Sequence, residues 1–552
     1  MSEVHDVCVI GAGPAGIAVA IRLSELGHKV ALVESGFENF NATAQELSNA
    51  ELTNAKSHAL MTDAVVRILG GTSAVWGGRC VPYDPIDFET RDYVEHSGWP
   101  ITNADLRPYY ISACEFLGVG EPSFNVRNCT ALETRDLLFS DTFRSGNSLC
   151  GNRLERWSQR PRIWSTYRSR VLRNRRIDLI SGFTCIGFLH GVLGNPVSHA
   201  LLLSTLGGET APRKLNAQQF VIACGGIEST RLILNSINNP QGIKVPVRDI
   251  IGRFYMGHPS GKIADIELAG DPSKTIFNFE KDGNVYVRRR ITFPSSALDR
   301  ESLLNIAFWL DNPNIADPQH GNGVLSAAYL AIASPLFGRY LAPAAIRNSI
   351  LKSGVSDTFA HLKNCLVHPF DTVGFCTQFA YRRYIRRPRL PGFFVHNRTN
   401  RYALHFHSEQ VPNRNNEIAL IHDKDKLGLR RVRITLEWSP QDLDSIVRAH
   451  VRLDKLLVEQ GIGRLWFRYP MDTVSEAIRQ QAVDGFHQIG TLRMGNDPRT
   501  SATDCNGRIR GTTNVFVASS AVFPTSGQAN PTLTLIAFAL KQSEYIHRCL
   551  KL

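Results

Sequence analysis

The sequence predicts an α/β protein of two interlocked domains, the first of them a Rossmann-like nucleotide-binding unit. Three observations predict it. Within residues 6–34 a β-branched run, a glycine-rich turn, a helix pattern and a second β run follow in order. Arg431–Trp438 alternates polar and apolar residues, as a strand with one wet face does. At 552 residues the chain exceeds what one simple core holds.

Taken in order, Asp6–Ile10 reads as a buried parallel strand. Gly11-Ala12-Gly13-Pro14-Ala15-Gly16 follows, then a helix through Ile17–Leu23 and a strand through Lys29–Val33 that ends at Glu34. Gly11 permits the tight turn, Gly13 lets backbone approach a diphosphate, and Gly16 lets helix pack on strand. The helix N-terminus offers amide donors and partial positive charge to the diphosphate. Glu34, eighteen residues past Gly16, stands where a carboxylate takes a ribose hydroxyl. This fingerprint does not separate NAD from FAD.

The formal charge of +12 favours anionic partners, but the basic residues are spread along the chain. The arginines from Arg153 to Arg176, with Trp157 and Trp164, lead into a strand at Ile177–Ile180 and sit in no nucleic-acid module. Nucleic acid is therefore not an expected partner. Eleven cysteines without CxxC spacing fit buried reduced thiols, not a disulfide frame or zinc site. The N-terminus enters a strand at once, which leaves no room for a signal peptide and predicts a cytoplasmic location.

A second glycine cluster, Leu69-Gly70-Gly71-Thr72-Ser73-Ala74-Val75-Trp76-Gly77-Gly78-Arg79, suggests backbone laid against a flat or anionic ligand. Val221-Ile222-Ala223-Cys224-Gly225-Gly226 repeats a strand-to-helix turn. Near the C-terminus come Phe486-His487-Gln488-Ile489-Gly490 and Ser519-Ser520, then Gln528-Ala529-Asn530-Pro531-Thr532. In this order the motifs resemble the glucose–methanol–choline (GMC) oxidoreductase family, nearest its sugar- and glycoside-oxidising, pyranose oxidase-like branch. The resemblance implies FAD held by Gly11, Gly13, Pro14, Ala15, Gly16, Glu34, Gly71, Thr72, Ser73, Trp76, Gly77, Gly78, Ala223, Ser520 and Thr532. It implies no metal. Ser73-Ala74-Val75-Trp76 lacks the histidine through which pyranose oxidases commonly attach the flavin, so non-covalent FAD is expected.

The resemblance also implies an FAD domain built from discontinuous segments, 1–105, 175–260 and 475–552. An α+β substrate domain with an antiparallel sheet, together with its connections, would fill 106–174 and 261–474. Tyr402–Glu409 and Ile418–Ile421 read as further strands, and Ser439 caps a helix that opens on Pro440. For the chemistry, the resemblance places His487 as the base that takes the alcohol proton and Asn530 as its oxygen-positioning partner. Histidine suits the first role without a large pKa shift. The substrate implied is a small alcohol, a sugar or glycoside, with sterol or aliphatic alcohols and a different flavin reaction as alternatives. Oxygen, a quinone or a redox protein would accept the electrons. Alternation puts His405, His407 and Glu409 on one strand face and Gln410 on the other, a sugar-contacting set or a polar outer face. Asp504 and Asn514 read as structural.

Leu325–Ile346 is largely apolar but interrupted by Pro335, Gly338, Arg339 and Pro343, which argues against a membrane span. Arg382, Arg383, Arg386, Arg387 and Arg389 surround Tyr384, Ile385, Leu390, Phe393 and Phe394. This mixture suits a peripheral membrane contact that would serve a lipid-linked substrate or a quinone, or else a buried helix beside a solvated loop.

Overall fold

A computed structural model of the chain describes residues 4–551 apart from 130–131, 133–148, 190–195, 210, 273–274, 342–346, 348–349 and 352–356. β1 (His5–Ile10), α1 (Pro14–Glu25) and β2 (Val30–Glu34) form the predicted βαβ unit, Val7 paired in parallel with Val30. The helix opens at Pro14, whose missing N–H is no loss in a first turn. Parallel strands continue on both sides, β6 (Ile177–Ser181) on β2 and β9 (Arg213–Ile222) on β1. β9 serves two partners along its length. Its first half takes the antiparallel ribbon β7 (Phe183–Leu189) and β8 (His199–Ser204), and its second half takes β18 (Val515–Val517) in parallel.

The core around this sheet gathers α1, α2 (Asn103–Leu117), α3 (Ile163–Arg173) and α9 (Thr532–Lys551). Thr102 and Asp105 form a capping box at the start of α2, and Gly118 ends it in the left-handed region at φ +64°. Its buried stripe of Leu106, Tyr110, Cys114 and Leu117 faces the first core, and the Tyr110 hydroxyl meets Thr534 Oγ1 at 3.0 Å. Between residues 106 and 174, α2 and α3 carry apolar stripes that the nucleotide sheet buries, and among the described residues β5 (Cys150–Trp157) joins the second sheet.

That second sheet is antiparallel, in the order β17 (Gly463–Phe467), β10 (Ser260–Leu268), β14 (Arg401–Ser408), β13 (Ile306–Asp311), β12 (Val285–Thr292), β5, β4 (Arg79–Cys80), with β11 (Glu280–Asp282) on β12. One face carries Ile266, Phe308, Leu404 and Phe406 and packs on α8 (Pro440–Glu459). Ser439 caps α8 and exchanges bonds with Asp442. Leu443, Ile446, Leu453 and Leu457 are buried from it, each contributing about 1.5–3 kcal/mol. β3 (Glu51–Leu52), β15 (Glu417–Lys424) and β16 (Arg430–Thr435) make a small third sheet, with Val432, Ile434, Leu436 and Trp438 turned inward as the alternation predicts. All eleven cysteines are free. Arg156 and Trp157 are buried in β5, so the predicted basic run is partly interior. Asn514 holds β18 in place through Val197 and the Gln218 carbonyl, and Asp504 caps its own turn, both structural as expected.

Candidate active site

The separated glycine motifs meet at one cavity of about 1290 Å³. Gly11, Gly13, Pro14, Ala15 and Glu34 line it from the first motif, and Gly71, Thr72, Ser73, Trp76, Gly77 and Gly78 from the second. Ala223, Ser520 and Thr532 line it as well, together with His487 and Asn530. Gly16 lies behind the wall, where a Cβ would come 1.8 Å from the Gly11 carbonyl oxygen. Its role is the packing of helix on strand. Gly11 has φ +103°, and a Cβ there would sit 2.6 Å from the Ala223 carbonyl oxygen.

Gly13 differs. A Cβ on it would meet nothing closer than 3.9 Å, so the fold itself does not demand glycine. The space in front of it is left for a ligand. Gly13 is also the N-cap of α1, with no side chain on the first amides, which leaves them for an anion. Glu34 is buried, and its carboxylate already accepts the Ala12 and Gly36 N–H groups at 2.8 and 2.7 Å. Burial pushes its carboxyl above the ordinary range, against those two donors. A cavity larger than the ~300–1,000 Å³ of common ligand pockets leaves room for a dinucleotide and a substrate. These features fit FAD.

At the far end of the chain, one hydrogen-bond chain fixes the catalytic candidates. Arg79 Nε donates to Asn530 Oδ1 at 2.9 Å, which leaves Asn530 Nδ2 to face His487 Nε2 at 2.7 Å. An amide nitrogen only donates, so Nε2 accepts and carries no proton. The ring proton therefore sits on Nδ1, which donates to Asp484 Oδ2 at 3.0 Å. Asp484 is oriented in turn by the N–H groups of Gly485, Phe486, His487 and His258. Burial opposes ionisation of Asp484, but His487 and His258 outweigh it and hold the carboxyl well below the ordinary range.

His258 stacks on His407 with ring centres 4.4 Å apart, and His487 stands edge-on to both. Burial lowers the pKa of His258 and of His407, so both are neutral at pH 7. The three are close enough to share an ion. One nitrogen of each buried ring is committed, His258 Nε2 to the Ser526 carbonyl and His407 Nδ1 to the Gln528 carbonyl, and both nitrogens of His487 are bonded as above, whereas His258 Nδ1 has no hydrogen-bond partner among the described residues.

The polar face of the antiparallel sheet carries His405 and His407, on β14. Beside them Trp309 stacks on His405 at 4.3 Å, and the guanidinium groups of Arg79, Arg288 and Arg290 lie 4.8, 5.0 and 5.5 Å from its ring. Buried Glu155 accepts Arg288 Nε at 2.6 Å. The expected grouping of Glu409 with His405 and His407 does not hold. β14 ends at Ser408, and Glu409 turns into the core to bind Arg91 through both oxygens at 2.8 and 2.6 Å. Gln410 is structural as well, bonded to Gly257 N–H and the Glu437 carbonyl. Sequence reasoning had no role for Arg79, Asp484 or His258. Asp484, three residues before His487, carried a signal, since an Asp there bonds the following amides locally. Arg79 and His258 had none, being distant in sequence from both catalytic candidates.

A nucleotide cradle joined to a histidine–amide pair defines an FAD-dependent oxidoreductase acting on CH–OH donors. Residues 412–539 match the family model described as GMC oxidoreductase, and residues 5–73 that of pyridine nucleotide-disulphide oxidoreductase. Relatives align along nearly the whole chain. 6'''-Hydroxyparomomycin C oxidase of Streptomyces lividus is 26% identical over 99% of this chain and 91% of its own. Paromamine 6'-oxidase of Streptomyces fradiae is 23% identical with the same coverage, and the large subunit of fructose dehydrogenase of Gluconobacter japonicus is 23% identical over 99% and 98%. A fungal aryl-alcohol oxidase shares the fold with TM-score 0.54 at 13% identity, covering 99% of both chains. The C-terminal segment of the chain is thus similar to that of the GMC oxidoreductases.

Proposed function

We propose that the chain oxidises a CH–OH carbon of a sugar or glycoside to a carbonyl, with His487 as base and Asn530 as the group that positions the alcohol oxygen. The bonded series Arg79–Asn530–His487–Asp484 carries this reading. The hydroxyl takes the place of the direct contact between Asn530 and His487, donating to Nε2 and accepting from Nδ2. Proton loss to Nε2 leaves an imidazolium that Asp484 stabilises, and the Asn530 amide steadies the charge growing on oxygen. Bound FAD supplies the acceptor for the hydride that leaves carbon. The full-length likeness to aminoglycoside and fructose enzymes supports a sugar-like substrate. FAD-binding and substrate-binding parts divide near the segments read from the sequence. The predicted cradle residues hold FAD without a covalent link, because the second glycine cluster has no histidine.

Among the described residues no helix is long and apolar enough to cross a membrane. The reading includes a cytoplasmic location, peripheral membrane contact, and oxygen, a quinone or a redox protein as electron acceptor. The test is anaerobic absorbance of the purified protein with a panel of sugars, glycosides and simple alcohols. Bleaching of the flavin by a sugar, abolished in His487→Ala, is the expected outcome. Bleaching by a simple alcohol alone, or undiminished bleaching in His487→Ala, overturns the assignment.

A further inference from the structure

Two helices in the second domain are turned inside out. α6 (Thr358–Val367) and α7 (Pro369–Ala380) pack on α5 (Gly323–Ala333) through polar and small groups. His361 is fully buried, bonded to Ser326 Oγ and the Ala316 carbonyl. Asn364 donates to the Pro318 carbonyl, Cys365 to the Gly323 carbonyl, and Thr372 is buried. The large apolar side chains face outward: Phe359 is 79% exposed, Leu366 76%, Phe370 91% and Ile385 72%. Scattered exposed apolar residues are ordinary, but a continuous face with a polar interior behind it marks a contact surface. α5 buries Leu325 and Tyr329, Leu336 and Phe337 just after it are exposed, residues 342–346 lie outside the described residues, and the exposed apolar face extends over the next two helices.

Charge says what covers this face. Residues 358–391 contain six Lys/Arg and a single acid, Asp371. Among the described residues Arg382 donates to the Tyr286 hydroxyl, and Arg383 to the carbonyls of Leu390 and Pro391. Arg386, Arg387 and Arg389 meet no carboxylate among the described residues. Burial lowers the pKa of Arg389, and Arg387, Arg383 and Arg162 crowd it with like charge. A second copy of so basic a face would be repelled, and a neutral apolar partner would leave the arginines unmatched. An anionic headgroup layer over an acyl interior matches both features. The surface is continuous with the active-site cavity, whose wall includes Leu341, Arg383, Tyr384, Arg387, Arg389 and Pro391.

We propose that α6, α7 and the arginine-rich turn after them dock the enzyme on an anionic lipid surface, with the edge of the cavity facing the bilayer. Phe359, Leu366, Phe370 and Ile385 enter the acyl boundary, and Arg386, Arg387 and Arg389 lie among the headgroup phosphates. An amphiphilic substrate or a quinone then passes between the lipid and the cavity without crossing water. This names the element behind the peripheral contact proposed above and rests on that reading. Docking itself requires no catalysis, so the two are separable.

The test is sedimentation of the full-length, flavin-loaded protein with vesicles of phosphatidylcholine alone or with one third phosphatidylglycerol, followed by absorbance at the flavin band. Wild type is expected to bind the anionic vesicles and to be released by salt. Arg386→Ser should weaken partition about fivefold, and Leu366→Ser with Phe370→Ser about tenfold or more. All should keep the flavin spectrum and sugar bleaching of wild type. Absence of vesicle binding overturns the docking proposal and leaves the alcohol-oxidation reading intact. Binding that the serine variants leave unchanged overturns the assigned surface. A dimer by light scattering that Phe370→Ser dissociates, with no vesicle binding, shows that a second copy covers the face.

Discussion

Replacing Asp484 by Asn alters one atom at the point on which the orientation of His487 depends. Oδ1 of Asp484 accepts three backbone N–H groups, and Oδ2 accepts His258 N–H and His487 Nδ1. In Asp484→Asn the three-donor side keeps the oxygen, so the new NH2 faces His258 and His487. The His258 amide is then buried without an acceptor, which costs about 1–3 kcal/mol of stability. Nδ1 of His487 must become an acceptor, which moves the ring proton to Nε2, the position the alcohol needs vacant. Recovering the productive tautomer forfeits a hydrogen bond to a charged group, about 1.5–3 kcal/mol, and sets two donors face to face. A total of about 2–4 kcal/mol slows proton abstraction roughly 30- to 1,000-fold. Anaerobic stopped-flow at saturating sugar reads this as the rate of flavin bleaching, with the amplitude reporting retained cofactor. A flavin-loaded Asp484→Asn protein that bleaches within about threefold of wild type would refute the argument that Asp484 sets the tautomer.

Arg79→Gln releases Asn530 to rotate, and a slowing of flavin bleaching by about tenfold or more is expected with little change in KM. Two glycine variants separate fold from cofactor. Gly16→Ala puts a methyl 1.8 Å from backbone and should yield insoluble or colourless protein, whereas Gly13→Ala has room and should keep the wild-type Tm without cofactor while losing FAD affinity in titration. Burial in an aromatic surround lowers the pKa of His450 to about 4. Its neutral form stabilises the fold above the unfolded value near 6.5, and that contribution is lost as pH falls through about 4, up to about 3 kcal/mol. His450→Phe should therefore flatten the fall of Tm between neutral pH and pH 4.5, and an unchanged slope would count against it. Acid precipitation of the wild-type enzyme should release all its flavin into the supernatant.

The parts of this protein that follow a local rule were legible in the chain. The βαβ unit, the Ser439 cap and the strand at Val432 and Ile434 obey spacing rules, and the structure has each, the strand ending at Thr435. The predicted site residues also converge, all but Gly16 lining one cavity. What failed was alternation past a strand end. Glu409 follows the period of β14 in sequence but lies beyond its last ladder residue, where Arg91, far away in the chain, captures it. The outward face of α6 and α7 was hidden for a related reason. Their apolar residues recur at helical spacing whichever way the helix faces, and only neighbours distant in sequence decide that.

The double partnership of β9 has a consequence for how the protein is made. The strand that carries Ala223 into the cofactor cavity is flanked on one side by β1 and on the other by β18, nearly three hundred residues later. α9, whose first turn closes the cavity at Thr532, follows later still. At about 5–20 residues per second a ribosome needs roughly half a minute to two minutes for a chain of this length. Throughout that interval the glycine turn has been synthesised, yet the far wall of its cavity has not. Flavin loading therefore waits for the end of synthesis, and a message truncated before β18 yields an apoprotein with an unpaired sheet edge, which draws quality control and not cofactor.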